Sequence, residues 1–318
     1  MPQSFKKALG IALLTSMVLA GCGSTSSQGE NSQSGDSPQK ISVVATFYPM
    51  YDFAKNVAGE HADVTALVPA GVEPHDWEPT PKDIQRIADA QVFVYNGGVE
   101  GWVEDALKSV QNKNLVVVEA SKGIELMEGV EEEEEEHQEG EDHSHLDPHV
   151  WLDPVLAQKE VEAIAHALEQ ADPAHKDDYR KNANAYIAQL QSLDKEFSAA
   201  LSSAKRKDFV TQHAAFGYLA KRYGLTQIPI SGLSPEEEPS PSKLVDIVKF
   251  VKEHQVKTIF FETLAAPKVA ETVAKETGAK TAVLNPIEGL TDEEKAKNLD
   301  YIGVMKNNLE ALKTALNE

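Results

Sequence analysis

Two short runs in this chain share one pattern: an acid, a proline, a histidine, any residue, a tryptophan. They are Glu73-Pro74-His75-Asp76-Trp77 and Asp147-Pro148-His149-Val150-Trp151. A residue before proline is held in extended conformations, and proline fixes φ and donates no hydrogen bond. Each histidine therefore leaves a stiff turn in a set direction, with a bulky ring two positions on to pack beside it. Imidazole is the commonest metal-binding side chain, and a ligand binds best from a rigid support. Either run alone would serve as an ordinary surface turn, but two in one chain point to a metal site. Phe209-Val210-Thr211-Gln212-His213 adds a third histidine at the end of a short β-rich run. Two carboxylates are placed to supply a fourth donor. Glu262 follows Ile259-Phe260-Phe261, and Glu288 lies in Leu284-Asn285-Pro286-Ile287-Glu288. Spacing alone does not choose between them. Glu262 could equally orient an imidazole N–H from behind.

These residues must be presented by a scaffold, and the chain alternates β-rich runs with helical segments. Strands are expected at 41–46, 62–68, 91–95 and 115–119, with helices over 49–59, 81–90 and 101–110. The second half repeats the scheme: strands at 209–211, 226–230, 258–261 and 282–284, and helices over 215–223, 241–254, 267–277 and 292–316. Strands separated by helices imply parallel pairing with crossovers. The fold class is therefore α/β, with two lobes (41–172 and 205–318), each a mainly parallel four-stranded sheet flanked by helices. In open sheets of this kind, ligands sit beyond the carboxyl ends of the strands. Between the lobes, 173–204 reads as one long backbone helix. Its apolar residues Tyr179, Ala183, Tyr186, Leu190, Leu193, Phe197 and Leu201 recur in steps of three and four, the helical period. At about 1.5 Å per residue it forms a rod of roughly 45 Å. The tyrosines and the alanine suit packing on the lobes better than a dimeric coiled-coil seam, so a monomer is expected.

The ends and the charge narrow the setting. Lys6 and Lys7 precede an apolar run from Ala8 to Leu19 that is short for a membrane span and fits a secretory signal over 1–21. Leu19-Ala20-Gly21-Cys22 looks like a bacterial lipobox, which would make Cys22 a lipidation site and anchor the chain to a membrane. Cys22 is the sole cysteine of the 318 residues, so any metal site must use nitrogen and oxygen. Residues 23–40 contain no aliphatic or aromatic side chain and read as a flexible tether. The formal charge of −21 and the lack of a basic stripe argue against nucleic acid as a partner. Within the loop 125–146, Glu131 to His145 carries six consecutive glutamates and three histidines. His137, His143 and His145 are candidate weak accessory metal sites that could pass an ion to His149. His61, His166, His175 and His254 read as structural or solvated.

From Ile41 to the C-terminus the chain resembles the metal-binding subunit of bacterial ABC importers, the helix-bridged family of solute-binding lipoproteins. It is most similar to the zinc-specific, ZnuA-type members. EPHDWEPTPKD, DPHVWLDP, TQHAAFGYLA and LNPIEGLT stand in that family's order and spacing. The resemblance implies His75, His149, His213 and Glu288 as the metal ligands. Manganese and iron relatives usually carry a carboxylate where this chain has His213, and three imidazoles with one carboxylate suit tetrahedral Zn²⁺. It further implies a high-affinity extracytoplasmic zinc receptor, not an enzyme, that delivers its ion to an ABC permease. Two rival functions would use the same histidines: a zinc-dependent hydrolase or hydratase, which needs an open coordination position, and a surface adhesin with a structural zinc site. Ordinary histidine pKa values place the loss of metal affinity below about pH 6.

Overall fold

Four short runs rich in valine build the first sheet: β1 (Ile41–Ala45), β2 (Ala62–Ala66), β3 (Val92–Tyr95) and β4 (Val116–Glu119). The structure, a computed structural model, describes residues 40–129 and 146–318. The expected signal segment, Cys22 and the tether up to residue 39 lie outside the described residues, as do His137, His143 and His145 of the acidic loop. The four strands pair in parallel in the order β2-β1-β3-β4. Parallel neighbours need crossovers, supplied by α1 (Tyr48–Ala58), α2 (Pro81–Asp89) and α3 (Val103–Ser109). Thr80 and Asp83 form a reciprocal capping box at the start of α2, with Pro81 in its first turn, where a missing N–H costs nothing.

A two-stranded antiparallel ladder, β5 (Met127–Glu128) with β6 (Leu146–Asp147), closes the acidic loop at its stem. A 3₁₀ turn over Val150–Leu152 then leads into α4 (Pro154–Ala171), capped by Asp153, whose carboxylate accepts from Val155 N. The element list read from the sequence omitted α4. The long helix, α5 (Lys176–Leu201), follows a 3₁₀ turn over Pro173–His175 and does not begin at Pro173 itself. All seven residues of its expected stripe are buried. They face α1, α4 and α10 (Tyr301–Ala315) of the same chain, which occupies the surface a coiled-coil partner would need.

The second sheet comprises β7 (Asp208–Thr211), β8 (Thr226–Pro229), β9 (Thr258–Phe261) and β10 (Lys280–Val283), in the order β10-β9-β7-β8 and all parallel. Its helices include α6 (Gly217–Tyr223), α7 (Pro241–Glu253) and α8 (Lys268–Thr277). The helix expected over 292–316 is two helices, α9 (Asp292–Ala296) and α10. Asn298 breaks it in the left-handed region at φ 54°. Asp300 then caps the new start by accepting from Gly303 N at 2.7 Å. One apolar cluster takes in residues from both sheets together with the α5 stripe, among them Val43, Phe53, Leu190, Phe209 and Tyr301.

Candidate metal centre

The acid-proline-histidine runs fold as the chemistry of proline requires. With no N–H at the proline, the acid reaches past it to the next amide. Glu73 accepts from His75 N through both oxygens, at 3.1 and 3.0 Å. Asp147 Oδ1 accepts from His149 N at 2.9 Å and also holds the ring at Nδ1, 2.8 Å away. A carboxylate that has lost its proton only accepts, so His149 carries its hydrogen on Nδ1 and turns Nε2 away from Asp147. Gly98, at φ +87°, lets the β3–α3 loop close on this turn, since a Cβ there would lie 2.9 Å from Pro148 Cβ. His213 follows β7 and is gripped in the same manner. Glu262 Oε1 accepts from its backbone N at 3.3 Å and its Nδ1 at 2.5 Å, the orienting role considered for Glu262 from the sequence.

The turn before Glu288 is a third version of this motif. Asn285 Oδ1 reaches past Pro286 to accept from Ile287 N at 2.7 Å. Ile287 then sits at φ 63°, a conformation that is strained for a β-branched residue by about 1–3 kcal/mol. The trp ring of the second run helps to hold it. Trp151 Nε1 donates to Pro286 O at 2.7 Å, and the Trp151 carbonyl accepts from the Tyr301 hydroxyl. Trp151 also packs beside His149, ring centroids 5.1 Å apart. Trp77 departs from the expected pattern: it pairs with Trp102 at 5.5 Å and joins the small core beneath α2 and α3.

Four donors converge. The ligand atoms of His75, His149, His213 and Glu288 all lie within 4.8 Å of one another. Glu288 Oε1 is 3.2 Å from His75 Nε2, 3.4 Å from His149 Nε2 and 3.6 Å from His213 Nε2, and the last two nitrogens are 3.4 Å apart. His149, His213 and Glu288 are buried, whereas the His75 side chain keeps 11% of its exposure. Three of the four follow strand ends, His75 after β2, His213 after β7 and Glu288 after β10, as an open parallel sheet favours.

The electrostatics follow from this packing. Burial acts to lower the His149 pKa, but its bonds to Asp147 and Glu288 outweigh that and raise it. Burial opposes the charge on His213 too, and Glu262 and Glu288 hold its pKa well above the ordinary histidine value. Desolvation would push Glu288 up, yet three imidazoles keep it well below the ordinary carboxylate range. The cluster thus pairs a glutamate that favours its charge with two imidazoles, His149 and His213, whose hold on a proton is strengthened. Deprotonated, the same four groups form a nitrogen-and-oxygen set of the size and count a tetrahedral metal takes.

The profile of the ZnuA family, zinc-uptake complex component A, periplasmic, matches residues 43–315. The chain belongs to this family. It is 53% identical over 317 residues to the high-affinity zinc uptake system protein ZnuA of Bacillus subtilis (strain 168), covering 98% of each chain. It is 45% identical over 311 residues to the zinc-binding lipoprotein AdcA of Streptococcus pneumoniae (strain ATCC BAA-255 / R6), and spans 97% of its own length but 60% of that longer protein. The crystal structure of the Zn(II)-bound ZnuA-like domain of Streptococcus pneumoniae AdcA superposes with a TM-score of 0.75 at 44% identity, covering 88% of this chain and all of that one. The two parallel sheets joined by a long helix are thus the ZnuA-like fold.

For a ZnuA-family chain, the residues that sequence reasoning passed over lie behind the histidines. In the sequence Asp147 is simply the residue before a proline, and its grip on the His149 ring depends on the ring's rotamer. Asn96 Nδ2 donates to Pro148 O at 3.0 Å, and Gln227 Nε2 donates to His213 O at 2.9 Å. Both contacts are tertiary and leave no local signal. His61 and His175 stack on each other 4.0 Å apart, with carboxylate partners Asp178 and Asp172, and among the described residues belong to no group of three or more potential metal donors.

Proposed function

We propose that this chain is a high-affinity extracytoplasmic zinc receptor of an ABC importer. It takes Zn²⁺ as cargo through the Nε2 atoms of His75, His149 and His213 and one oxygen of Glu288, and gives it to a permease. The convergence of those four ligand atoms within 4.8 Å carries the reading, and the zinc-binding names of the relatives support it. Asp147 and Glu262 hold two of the imidazoles in the tautomer that leaves Nε2 free, the arrangement that strengthens histidine as a ligand. With the glutamate bound, the coordination sphere is closed and leaves no position for an activated water. That favours carriage over hydrolysis, which needs an open site. Attachment to the membrane through lipid on Cys22 is part of the same proposal, supported by the lipoprotein name of the AdcA relative.

Metal analysis and competitive zinc titration of the tag-free protein, repeated on His213→Ala, test the reading. One tightly bound zinc is expected in the wild type, and in the variant an affinity loss of at least about 100-fold, the upper end of what losing a partner behind a ligand costs. A wild type with no tight site, or a His213→Ala protein that holds zinc equally well, overturns it. A cobalt-substituted protein whose spectrum reports a bound water would instead favour the hydrolase.

A further inference from the structure

The carboxylate that orients His149 is itself positioned from the other half of the molecule. Asp147 ends β6, at the stem of the acidic loop, and is buried. Its Oδ1 is occupied by His149 N and Nδ1. Its Oδ2 lies against the first residue of α6, where a Cβ added to Gly217 would come within 2.8 Å of it. The next residue, Tyr218, sits across the β5–β6 ladder. Its hydroxyl donates to Asp147 O at 2.7 Å and accepts from Met127 N at 2.8 Å, and Met127 is the residue paired with Asp147.

From these contacts we infer that Gly217 and Tyr218 are positioning residues for zinc capture, acting through Asp147 on His149. This rests on the receptor reading above. Tyr218 fixes the backbone of Asp147, and the bare Cα of Gly217 leaves the room its carboxylate occupies. The atom a methyl group would strike is the tip of a side chain, not backbone. A cavity of about 440 Å³, lined in part by Asp147, Met127 and Gly217, opens beside it. A displaced carboxylate therefore has somewhere to turn, and Gly217→Ala is absorbed by rotation of Asp147, not by unfolding. Rotation breaks the bond to Nδ1. The His149 ring is then free to change tautomer and tilt, and Nε2 no longer points steadily at the other three donors. The first turn of a helix in the second sheet's half thus sets the aim of a ligand carried by the first.

The test is a double-mutant cycle read in zinc affinity, with apo thermal stability and the cobalt ligand-field spectrum followed in parallel. Gly217→Ala and Tyr218→Phe are each expected to raise the zinc Kd by about 10- to 100-fold, the range for partners that orient a metal-bound histidine, with a changed cobalt spectrum. In an Asp147→Ala background, adding Gly217→Ala is expected to change Kd by less than about twofold, because the effect has lost its intermediary. Unchanged Kd and spectrum in both single variants overturn the inference, even if apo stability falls, since a purely structural role does that. A full Gly217→Ala effect that persists without Asp147 overturns it as well. Should Gly217→Ala fold poorly, Tyr218→Phe, which removes one hydroxyl and keeps the ring, gives the answer alone. His213→Ala separates the two claims. If it keeps wild-type zinc binding, the receptor reading falls. If it loses zinc while Gly217→Ala and Tyr218→Phe both keep it, only the positioning inference falls.

Discussion

Carboxylates stand behind two of the imidazoles and among all three, and that determines how protons compete with the ion. Burial alone would lower the pKa values of His149 and His213, but Asp147, Glu262 and Glu288 raise both. Glu288 is held well below the usual carboxylate range and stays ionised. The sign follows. In the empty site the imidazoles keep their protons to a higher pH than free histidine does, and zinc must displace them. Affinity should therefore begin to fall above the ordinary histidine value of about 6.5, not below pH 6 as unperturbed histidines would imply. With two imidazoles competing, the slope approaches about two decades of Kd per pH unit. Competitive titration between pH 8.5 and 5.5 (values of about this span bracket the histidine range) reads this directly, and a flat profile contradicts histidine ligation. His75 and His149 stand out in the sequence because their cue is local. An acid before a proline has one amide within easy reach, that of the histidine beyond. Glu288 could not be separated from Glu262 by spacing, since both follow strands of the second sheet and only the packing sends one oxygen inward and the other to an Nδ1.

Among the elements, α4 carries an unusual residue. Glu160 is fully buried, and among the described residues neither carboxylate oxygen has a hydrogen-bond partner. Desolvation, with Glu100 adding like charge, raises its pKa well above the ordinary value. The folded state therefore binds this proton more tightly than the unfolded chain does. Stability from this group is greatest below the ordinary glutamate pKa of about 4.3 and is lost as pH rises towards the folded value. Glu160→Leu should remove that dependence and stabilise the protein at neutral pH by on the order of 1–3 kcal/mol, the cost of an unsatisfied buried polar group. Thermal melts of both proteins across pH 5–8, roughly the range over which folded proteins are most stable, will show whether the gap opens with rising pH. A buried glutamate also explains part of why α4 escaped the sequence reading, since its inward face mixes Ala157, Glu160, Ala165 and Ala167 with only a few large apolar residues. The α5 stripe was plain because every third or fourth position there is large or aromatic except Ala183. The split between α9 and α10 was hidden by sequence that suits a helix throughout. Nothing in Lys297-Asn298-Leu299-Asp300 forbids continuation; the left-handed Asn298 and the cap at Asp300 decide it in three dimensions.

At the scale of the whole molecule, the α5 stripe lies in an apolar cluster shared with both sheets, so swinging one sheet away from the other would open a continuous core. Metal loading should leave the radius of gyration measured by X-ray scattering unchanged within error, and a large compaction on adding zinc would contradict this. The indole bond from Trp151 to Pro286 has a consequence for traffic through the site. It bolts the His149 turn to the Glu288 turn, and His213 is buried beside them with its own carboxylate clamp. Three walls of the cage are thus tied to their neighbours, while the fourth, the His75 turn, touches water and its acid grips only its backbone. Among the described residues the cage is thinnest at that wall, so cargo should leave past His75 and whatever docks to empty the site should work from that side.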